Sequence, residues 1–395
     1  TSPDSAAVCS GNALNILLTS DSLASYSWVA IDNPQTTGES TTAVTGSVIN
    51  NTITNSTSAP LIVQYTVTPT GTISGCPGVS QNVYVTVNNN LRLTTSLTQS
   101  NCSGTALNIP LVSNTPGTAF TWVAANNGNT TGESLTTQNS DLINDLITNS
   151  TTVNQNINYT VIMTGGICRD TQSIIVTIFP LPKITNSGNI NACNGVTLNI
   201  PITSSLPASI TWVAADNPNV NGESLSPQNS SVLTNTLTLV PGTLTPQVIR
   251  YSIVPTSTTN GCQGDTQQVS VTISPIPSMT SGITTTICSG DSVKFHFAAS
   301  VPSLFSWIAT DNPNVTGEST TRKTDSVITD ALVNNTSVPQ TVTYRVTPTS
   351  LIGGCQGTVQ FITVTVNPTP QLAFTGNTTL CSGGSLNILL TANNN

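Results

Sequence analysis

The side chains of this sequence with the greatest chemical potential are its nine cysteines. Five of them begin a Cys-Ser-Gly or Cys-Asn-Gly tripeptide and recur every 91 to 95 residues. Thiols at regular spacing form either disulfides or metal sites. Because the chain has no Cys-x-x-Cys and only one histidine, it lacks the ligands of a zinc site, and we expect disulfides. The five are Cys9, Cys102, Cys193, Cys288 and Cys381, and the other four are Cys76, Cys168, Cys262 and Cys355.

The composition disfavours catalysis, nucleic-acid binding and membrane insertion. Charged residues make up 6% of the 395 residues, against about 25% in a typical soluble protein. A net charge of −8 with eight basic residues leaves no patch for nucleic acid, and no apolar run approaches the ~18 residues of a membrane span. The single histidine, His296, lies between two phenylalanines and is predicted to face solvent on a strand. We expect no enzyme, no cofactor and no metal.

The glutamates all occupy one motif. Each lies in a Gly-Glu-Ser that follows a tryptophan and an Asx-Asn pair. Their oxygens could bind calcium, but one or two carboxylates per motif are few for a cation that takes about six to eight oxygens. A turn in which the glutamate accepts backbone N–H bonds explains the same residues, and we favour it. The glutamates are Glu39, Glu133, Glu223 and Glu318.

The motifs belong to a tandem repeat. After the first cysteine of each repeat come a tryptophan, a tyrosine 37 or 39 residues later, and the second cysteine. We assign repeats to residues 1–90, 91–182, 183–276 and 277–369, with the start of a fifth at 370–395, and expect the natural polypeptide to continue. The tryptophans are Trp28, Trp122, Trp212 and Trp307, and the tyrosines are Tyr65, Tyr159, Tyr251 and Tyr344.

The pattern within a repeat predicts an immunoglobulin-like β-sandwich. Apolar residues alternate with polar ones, as at Leu14, Ile16 and Leu18, and turn residues separate the alternating runs. About seven short strands in roughly 93 residues suit such a sandwich, with the repeated tryptophan and tyrosine in its core. Pro-x-Pro connectors after repeats 2, 3 and 4 favour semi-rigid joints, so we expect an elongated rod.

The repeat register makes one disulfide within each repeat the simplest pairing. This pairing leaves Cys381 with a partner outside the sequence, and disulfides indicate an oxidising, extracellular compartment. The expected bonds are Cys9–Cys76, Cys102–Cys168, Cys193–Cys262 and Cys288–Cys355.

The order of motifs resembles the PKD-like repeats of Bacteroidota cell-surface proteins, among them gliding-motility adhesins exported by the type IX secretion system. The first repeat carries the pattern as Tyr65-Thr-Val-Thr-Pro69 followed by Gly75-Cys76-Pro-Gly78. The second repeat departs from it, with Met163 in place of the proline and no glycine beside Cys168. The resemblance covers nearly the whole chain.

The resemblance implies a non-catalytic stalk of a large secreted filament or adhesin on a bacterial surface, with neighbouring repeats as partners. One alternative is a spacer or glycan-binding array of a secreted enzyme. Aromatic residues are only 4% of the chain, which disfavours a platform for surface glycans. The other alternative is a self-assembling extracellular fibre, in which strands exchange between filament subunits.

Overall fold

The computed structural model describes residues 3–186, 188–373 and 379–392. The chain forms two compact units, Thr1–Leu181 and Pro182–Asn395, and each unit contains two repeats. The regular secondary structure of the described residues consists of β-strands, and none of these residues belongs to a helix that could cross a membrane. The prediction of an all-β, tandem-repeat fold is confirmed.

In the first unit, each repeat has one larger sheet and two short two-stranded ladders. Repeat 1 consists of β1 (Ser5–Cys9), β2 (Ile16–Leu17), β3 (Ala24–Ala30), β4 (Thr36–Thr37), β5 (Val44–Thr45), β6 (Val48–Ile49), β7 (Thr54–Asn55), β8 (Leu61–Gly71) and β9 (Gln81–Asn88). Repeat 2 consists of β10 (Thr98–Cys102), β11 (Ile109–Pro110), β12 (Ala119–Ala124), β13 (Thr130–Thr131), β14 (Leu142–Ile143), β15 (Thr148–Asn149), β16 (Gln155–Gly165) and β17 (Cys168–Phe179). The larger sheets have the orders β1-β9-β8-β3-β5 and β10-β17-β16-β12.

The second unit repeats this arrangement. Repeat 3 consists of β18 (Asn189–Cys193), β19 (Ile200–Pro201), β20 (Ala208–Ala214), β21 (Val220–Asn221), β22 (Gln228–Asn229), β23 (Val232–Leu233), β24 (Thr238–Leu239), β25 (Gln247–Ser257) and β26 (Gln267–Ser274). Repeat 4 consists of β27 (Thr284–Cys288), β28 (Phe295–His296), β29 (Ser303–Thr310), β30 (Val315–Thr316), β31 (Val327–Ile328), β32 (Val333–Asn334), β33 (Gln340–Ser350) and β34 (Gln360–Asn367). The larger sheets have the orders β18-β26-β25-β20-β22 and β27-β34-β33-β29.

The first strand of each repeat runs parallel to the last strand. In repeat 1 the pairing extends from Ser5 opposite Tyr84 to Cys9 opposite Asn88, and the other repeats have the same register. The last two strands form an antiparallel hairpin, and the second cysteine lies in or beside its loop. The first cysteine of a repeat therefore lies where the chain leaves the sandwich, and the second lies at the opposite end.

Each repeat has its own apolar core, built from the inward-facing residues of the strands. On β8, for example, Val63, Tyr65 and Val67 are buried and alternate with more exposed neighbours. The tryptophan and tyrosine of every repeat meet edge to face, with ring centroids 5.6–5.7 Å apart. This geometry is favourable for aromatic pairs and adds to the burial of their large apolar surface. The tryptophans are 2–3% exposed and the tyrosines are fully buried.

The substitution Trp28→Ala should unfold repeat 1. Truncating a buried tryptophan costs about 3–5 kcal/mol, a large share of the stability of a small domain. Hydrogen exchange read by mass spectrometry should show lost protection in β3, β8 and β9, with the sheet of repeat 2 still protected. The control Leu23→Ala, at a side chain that is 76% exposed, should leave exchange unchanged. Full protection of repeat 1 in the tryptophan variant would contradict a structural role for the indole.

Candidate functional site

The Gly-Glu-Ser motif forms a tight corner that only glycine can begin. The four glycines have φ angles of 95–102°, a left-handed conformation that other residues rarely adopt. A Cβ on Gly38 would lie 2.1 Å from the carbonyl oxygen of Thr52, and the equivalent contacts in the other repeats are 2.0–2.1 Å. The glycine is therefore required by the backbone of the corner. The four are Gly38, Gly132, Gly222 and Gly317.

The serine of the corner is linked to the core tyrosine through an aspartate or an asparagine. In repeat 2, the backbone N–H and the hydroxyl of Ser134 donate to Asp145 at 2.8 and 2.7 Å. The hydroxyl of Tyr159 donates to the same carboxylate at 2.8 Å. Repeat 4 has the same network, formed by Ser319, Asp330 and Tyr344. The landmark spacing does not point to this aspartate, although an Asp or Asn recurs at that position in every repeat.

Asparagine takes the place of the aspartate in repeats 1 and 3. Tyr65 donates to the Asn51 side-chain oxygen at 2.9 Å, and the Asn51 amide donates to the Ser40 hydroxyl at 2.9 Å. Tyr251 and Asn235 are bonded in the same way. The asparagine amide oxygen and the aspartate carboxylate accept the hydrogen bond of the tyrosine hydroxyl at nearly the same distance, 2.8–2.9 Å. The network therefore anchors the corner to the core. Its recurrence argues for structure and not for catalysis.

Burial raises the pKa of all four core tyrosines well above the ordinary value of a phenol. For Tyr159 and Tyr344, the hydrogen bond to the adjacent aspartate and its negative charge raise the pKa further. A buried phenolate would lose its hydration and face an anion, so the neutral form is retained. These tyrosines act as hydrogen-bond donors.

The glutamate of the corner caps the preceding turn. Glu39 accepts hydrogen bonds from the backbone N–H of Asn33 at 3.4 Å and from the Thr36 hydroxyl at 2.5 Å. In repeat 4, the backbone N–H of Asn312 donates to Glu318 at 3.3 Å. The backbone N–H bonds to Glu39 and Glu318 are the kind of contact that the sequence predicted. Throughout residues 3–186, 188–373 and 379–392, no three His, Cys, Asp or Glu side chains come together as a metal site would need.

Two disulfides, one in each unit, join neighbouring repeats and overturn the pairing expected from the sequence. Cys9 is bonded to Cys168 with Cα atoms 5.7 Å apart, and Cys193 is bonded to Cys355 with Cα atoms 5.6 Å apart. Cys102 and Cys262 are also disulfide-bonded. The pairings Cys9–Cys76, Cys102–Cys168, Cys193–Cys262 and Cys288–Cys355 are therefore wrong. Cys76, Cys288 and Cys381 are exposed thiols.

The parallel pairing of the first and last strands explains the correction. Cys9 lies at the end of β9, opposite Asn88, whereas Cys76 precedes the start of β9 at Gln81. The length of that strand, about 3.3 Å per residue, separates the two cysteines. A disulfide needs Cα atoms within about 7 Å, so the two thiols of one repeat cannot meet. Cys9 and Cys193 reach the next repeat instead.

The joint between repeats 1 and 2 is packed as well as bonded. Cys9 lies against the core of repeat 2. The connecting segment contributes Leu91 and Leu93, which are 4% and 5% exposed. Asn89, also buried, donates from its amide to the Thr115 hydroxyl at 2.6 Å. This joint lacks the Pro-x-Pro of the other connectors, yet its side chains are fixed by these contacts.

The joint between repeats 3 and 4 relies on close backbone contact. Cys355 is fully buried. A Cβ on Gly357 would lie 2.1 Å from the carbonyl oxygen of Pro277 in the connector. A Cβ on Gly353 would lie 2.3 Å from the Ser274 hydroxyl. The glycines around the second cysteine thus leave room for the connector from the preceding repeat. The Gly-Cys-x-Gly motif in the sequence reflects this close approach.

The chain belongs to the PKD-like domain family, whose model matches residues 6–91, 99–182, 190–277 and 285–370. No curated protein matches it. Solved structures similar to it include the human desmocollin-1 ectodomain, with 10% identity over 94% of this chain and 82% of that chain at a TM-score of 0.27. Drosophila N-cadherin EC1-4 has 11% identity over 92% of this chain and 98% of that chain, with a TM-score of 0.26. An I-band fragment of titin has 10% identity over 71% and 98%, with a TM-score of 0.32.

Peptide mapping should recover the joints directly. After alkylation of free thiols and non-reducing digestion, we expect linked peptides that contain Cys9 with Cys168 and Cys193 with Cys355. Linked peptides that contain Cys9 with Cys76, or Cys288 with Cys355, would restore the pairing within repeats.

The substitution Tyr159→Phe should lower the stability of repeat 2 by about 1–2 kcal/mol at pH 7, because Asp145 loses a buried donor. The phenol pKa is raised in the folded state, so its stabilisation is complete below about pH 10 and declines as the pH rises further. The stability of repeat 2 in the unsubstituted chain should therefore fall by about 1.4 kcal/mol per pH unit above this pH, and the variant, which lacks the phenol, should not show this fall. Urea unfolding followed by circular dichroism from pH 8 to 11 tests both effects.

The matched control is Tyr84→Phe, at a side chain that is 45% exposed. It should leave stability at pH 7 unchanged. An equal loss in both variants would show that the Tyr159 hydrogen bond has no special role.

Proposed function

We propose that this chain is a non-catalytic, load-bearing segment of an extracellular stalk. The observation that carries the proposal is the pair of bonds Cys9–Cys168 and Cys193–Cys355, each of which joins one repeat to the next. A module that only needed stability could bond within itself. Bonds between modules instead strengthen the connection along the chain.

The bonds also change the route that tension takes through each unit. A pull that reaches Cys9 passes directly to Cys168, so the backbone between them is not stretched. The separation of the two residues is 159, and that of Cys193 and Cys355 is 162. Most of the two sandwiches in each unit therefore lies outside the load path, and their cores stay folded under force.

An extracellular location follows from the same bonds, because disulfides persist in oxidising compartments. The PKD-like repeat is a non-catalytic domain type, which supports a mechanical role. The sequence resemblance supports three further proposals. They are that the stalk is part of a rod-shaped bacterial surface filament, that it is exported by type IX secretion, and that it has a part in gliding motility. Its partners would be neighbouring repeats, other filament subunits or surface glycans.

A glycan-binding array is the weaker candidate. The aromatic side chains that recur in every repeat are buried as edge-to-face pairs, so they cannot stack on a sugar. The hydrogen-bond network that recurs in the repeats is also made to the Gly-Glu-Ser corner of the protein itself.

Single-molecule stretching between the chain ends tests the stalk. The oxidised chain should extend by about 110 nm less than the reduced chain, the contour of the two closed loops at about 3.5 Å per residue. Cys9→Ser should lengthen the oxidised chain, whereas Cys76→Ser, which removes an unbonded thiol, should not. An oxidised chain that reaches the reduced length without breaking a disulfide would refute the proposed load path.

A further inference from the structure

Repeat 4 has a cavity on the outer face of its larger sheet, beside the hairpin loop that joins β33 to β34. The cavity has a volume of about 400 Å³. Arg322 and Arg345 both line it, and none of the described residues that line it is acidic. These arginines are two of the eight basic residues in a chain whose net charge is −8. The cavity is therefore a local positive site on an acidic protein.

The two arginines come from neighbouring segments of the same sheet. Arg345 lies opposite Ile308 of β29. Lys323 bridges Trp307 from the other side of β29. Arg322, one residue earlier, therefore lies opposite Ile308 as well. Neighbouring strands are about 4.8 Å apart, so the backbones of the two arginines are about 10 Å apart. Both side chains can thus reach a small group held between them.

Most hydrogen-bond donors of the two guanidinium groups are unused. A guanidinium has five N–H donors. Arg322 donates one of them to the Ser306 hydroxyl at 2.8 Å, which holds this side chain against β29. Within the described ranges, the Arg345 side chain donates no hydrogen bond and neither arginine forms an ion pair. Paired N–H groups of this kind bind the two oxygens of a carboxylate.

The floor of the cavity contains a buried hydroxyl group. Thr347 lines the cavity and is 7% exposed, and its hydroxyl makes no hydrogen bond to the part of the chain that the structure describes. In repeat 1, the equivalent Thr68 hydroxyl is bonded to that of Ser80 at 2.8 Å. Val359 takes the place of Ser80 in repeat 4 and cannot make this bond. Because a buried hydroxyl costs free energy unless it is bonded, a ligand oxygen is favoured here.

The neighbouring positions differ between the repeats in the same way. Thr66 of repeat 1, at the position of Arg345, donates to the side-chain oxygen of Asn82 at 3.2 Å. Phe361 takes the place of Asn82 in repeat 4 and is 57% exposed. Repeats 2 and 3 have threonine or serine at the position of Arg345, and none of the first three repeats has an arginine at the position of Arg322. The repeat fold therefore does not require the two arginines.

We propose that this cavity binds the carboxylate of a uronic acid residue in an acidic polysaccharide. The guanidinium groups of Arg322 and Arg345 donate to the carboxylate oxygens, and the Thr347 hydroxyl bonds to an oxygen of the same sugar. A single site in repeat 4 differs from a glycan-binding array, because the first three repeats lack both arginines.

The surroundings of the arginines support a saccharide as the carrier of the carboxylate. Ser306 and Gln356 line the cavity and offer neutral donors and acceptors for sugar hydroxyls. The exposed ring of Phe361, opposite Arg345, offers an apolar face on which a sugar ring can stack. Two arginines match one acidic group, whereas the net charge of −8 repels a densely charged polymer such as nucleic acid.

Calorimetric titration of the full oxidised chain with tri-galacturonate at low salt tests the site. The trimer should bind, and Arg345→Thr should weaken its binding about tenfold or more, because a charge-assisted hydrogen bond is lost. The matched control is Arg250→Thr, which removes an exposed arginine from β25 of repeat 3 and the same charge. It should leave the affinity unchanged. Circular dichroism checks that both variants are folded.

Nuclear magnetic resonance of the ¹⁵N-labelled chain locates the bound trimer. The backbone amide signals of Thr347 and Gly357, which line the cavity, should shift during the titration. Those of Val254 and Gly264, at the equivalent positions of repeat 3, should not shift.

Four results would overturn the proposal. They are no binding of the trimer, an equal loss of affinity in Arg250→Thr, equal binding of the fully methyl-esterified trimer, and shifts at Val254 and Gly264 in place of those in repeat 4. Sodium sulfate and tri-glutamate distinguish other carriers of an acidic group. If either binds as tightly as the trimer, the cavity holds a free anion or an acidic peptide, and the saccharide assignment is wrong. The site does not depend on the load path, so the stretching experiment can fail while this one succeeds.

Discussion

In every repeat, the hydrogen bonds that hold the first strand parallel to the last determine where both cysteines lie. The pairing of Cys9 with Asn88 places the first thiol at the exit of the chain, beside the connector. The hairpin places the second thiol at the other end. The choice of disulfide partner, the burial of the connector and the glycines around the second cysteine all depend on this one ladder.

The interior of each repeat explains the unusual composition. Buried asparagines hold several turns: the buried Asn55 donates to the carbonyl oxygens of Ala59 and Val87 at 2.8 and 2.9 Å. Asn149 and Asn334 make the same bonds in repeats 2 and 4. Such bonds hold turns onto the core with few charges, which agrees with a chain that is 6% charged.

The period of the landmarks and the alternation of apolar residues were enough to predict the sandwich, because both report directly on burial. The tryptophan and tyrosine could be assigned to the core for the same reason. The partner of Cys9 could not be obtained in this way, since it depends on the direction of β1 within the sheet. The repeat register in the sequence favoured Cys76 as the partner of Cys9, whereas the direction of β1 places Cys168 beside Cys9. Likewise, Asp145 has a role only because folding brings it to Ser134 and Tyr159.

Bonds between repeats also give the chain two covalent routes through each unit. Between Cys9 and Cys168, one route follows the peptide backbone and the other crosses the disulfide. A protease that cuts a single exposed loop between them leaves both fragments attached, and the same holds between Cys193 and Cys355. A polymer exposed to degrading enzymes outside a cell can thus be nicked in either unit and stay in one piece.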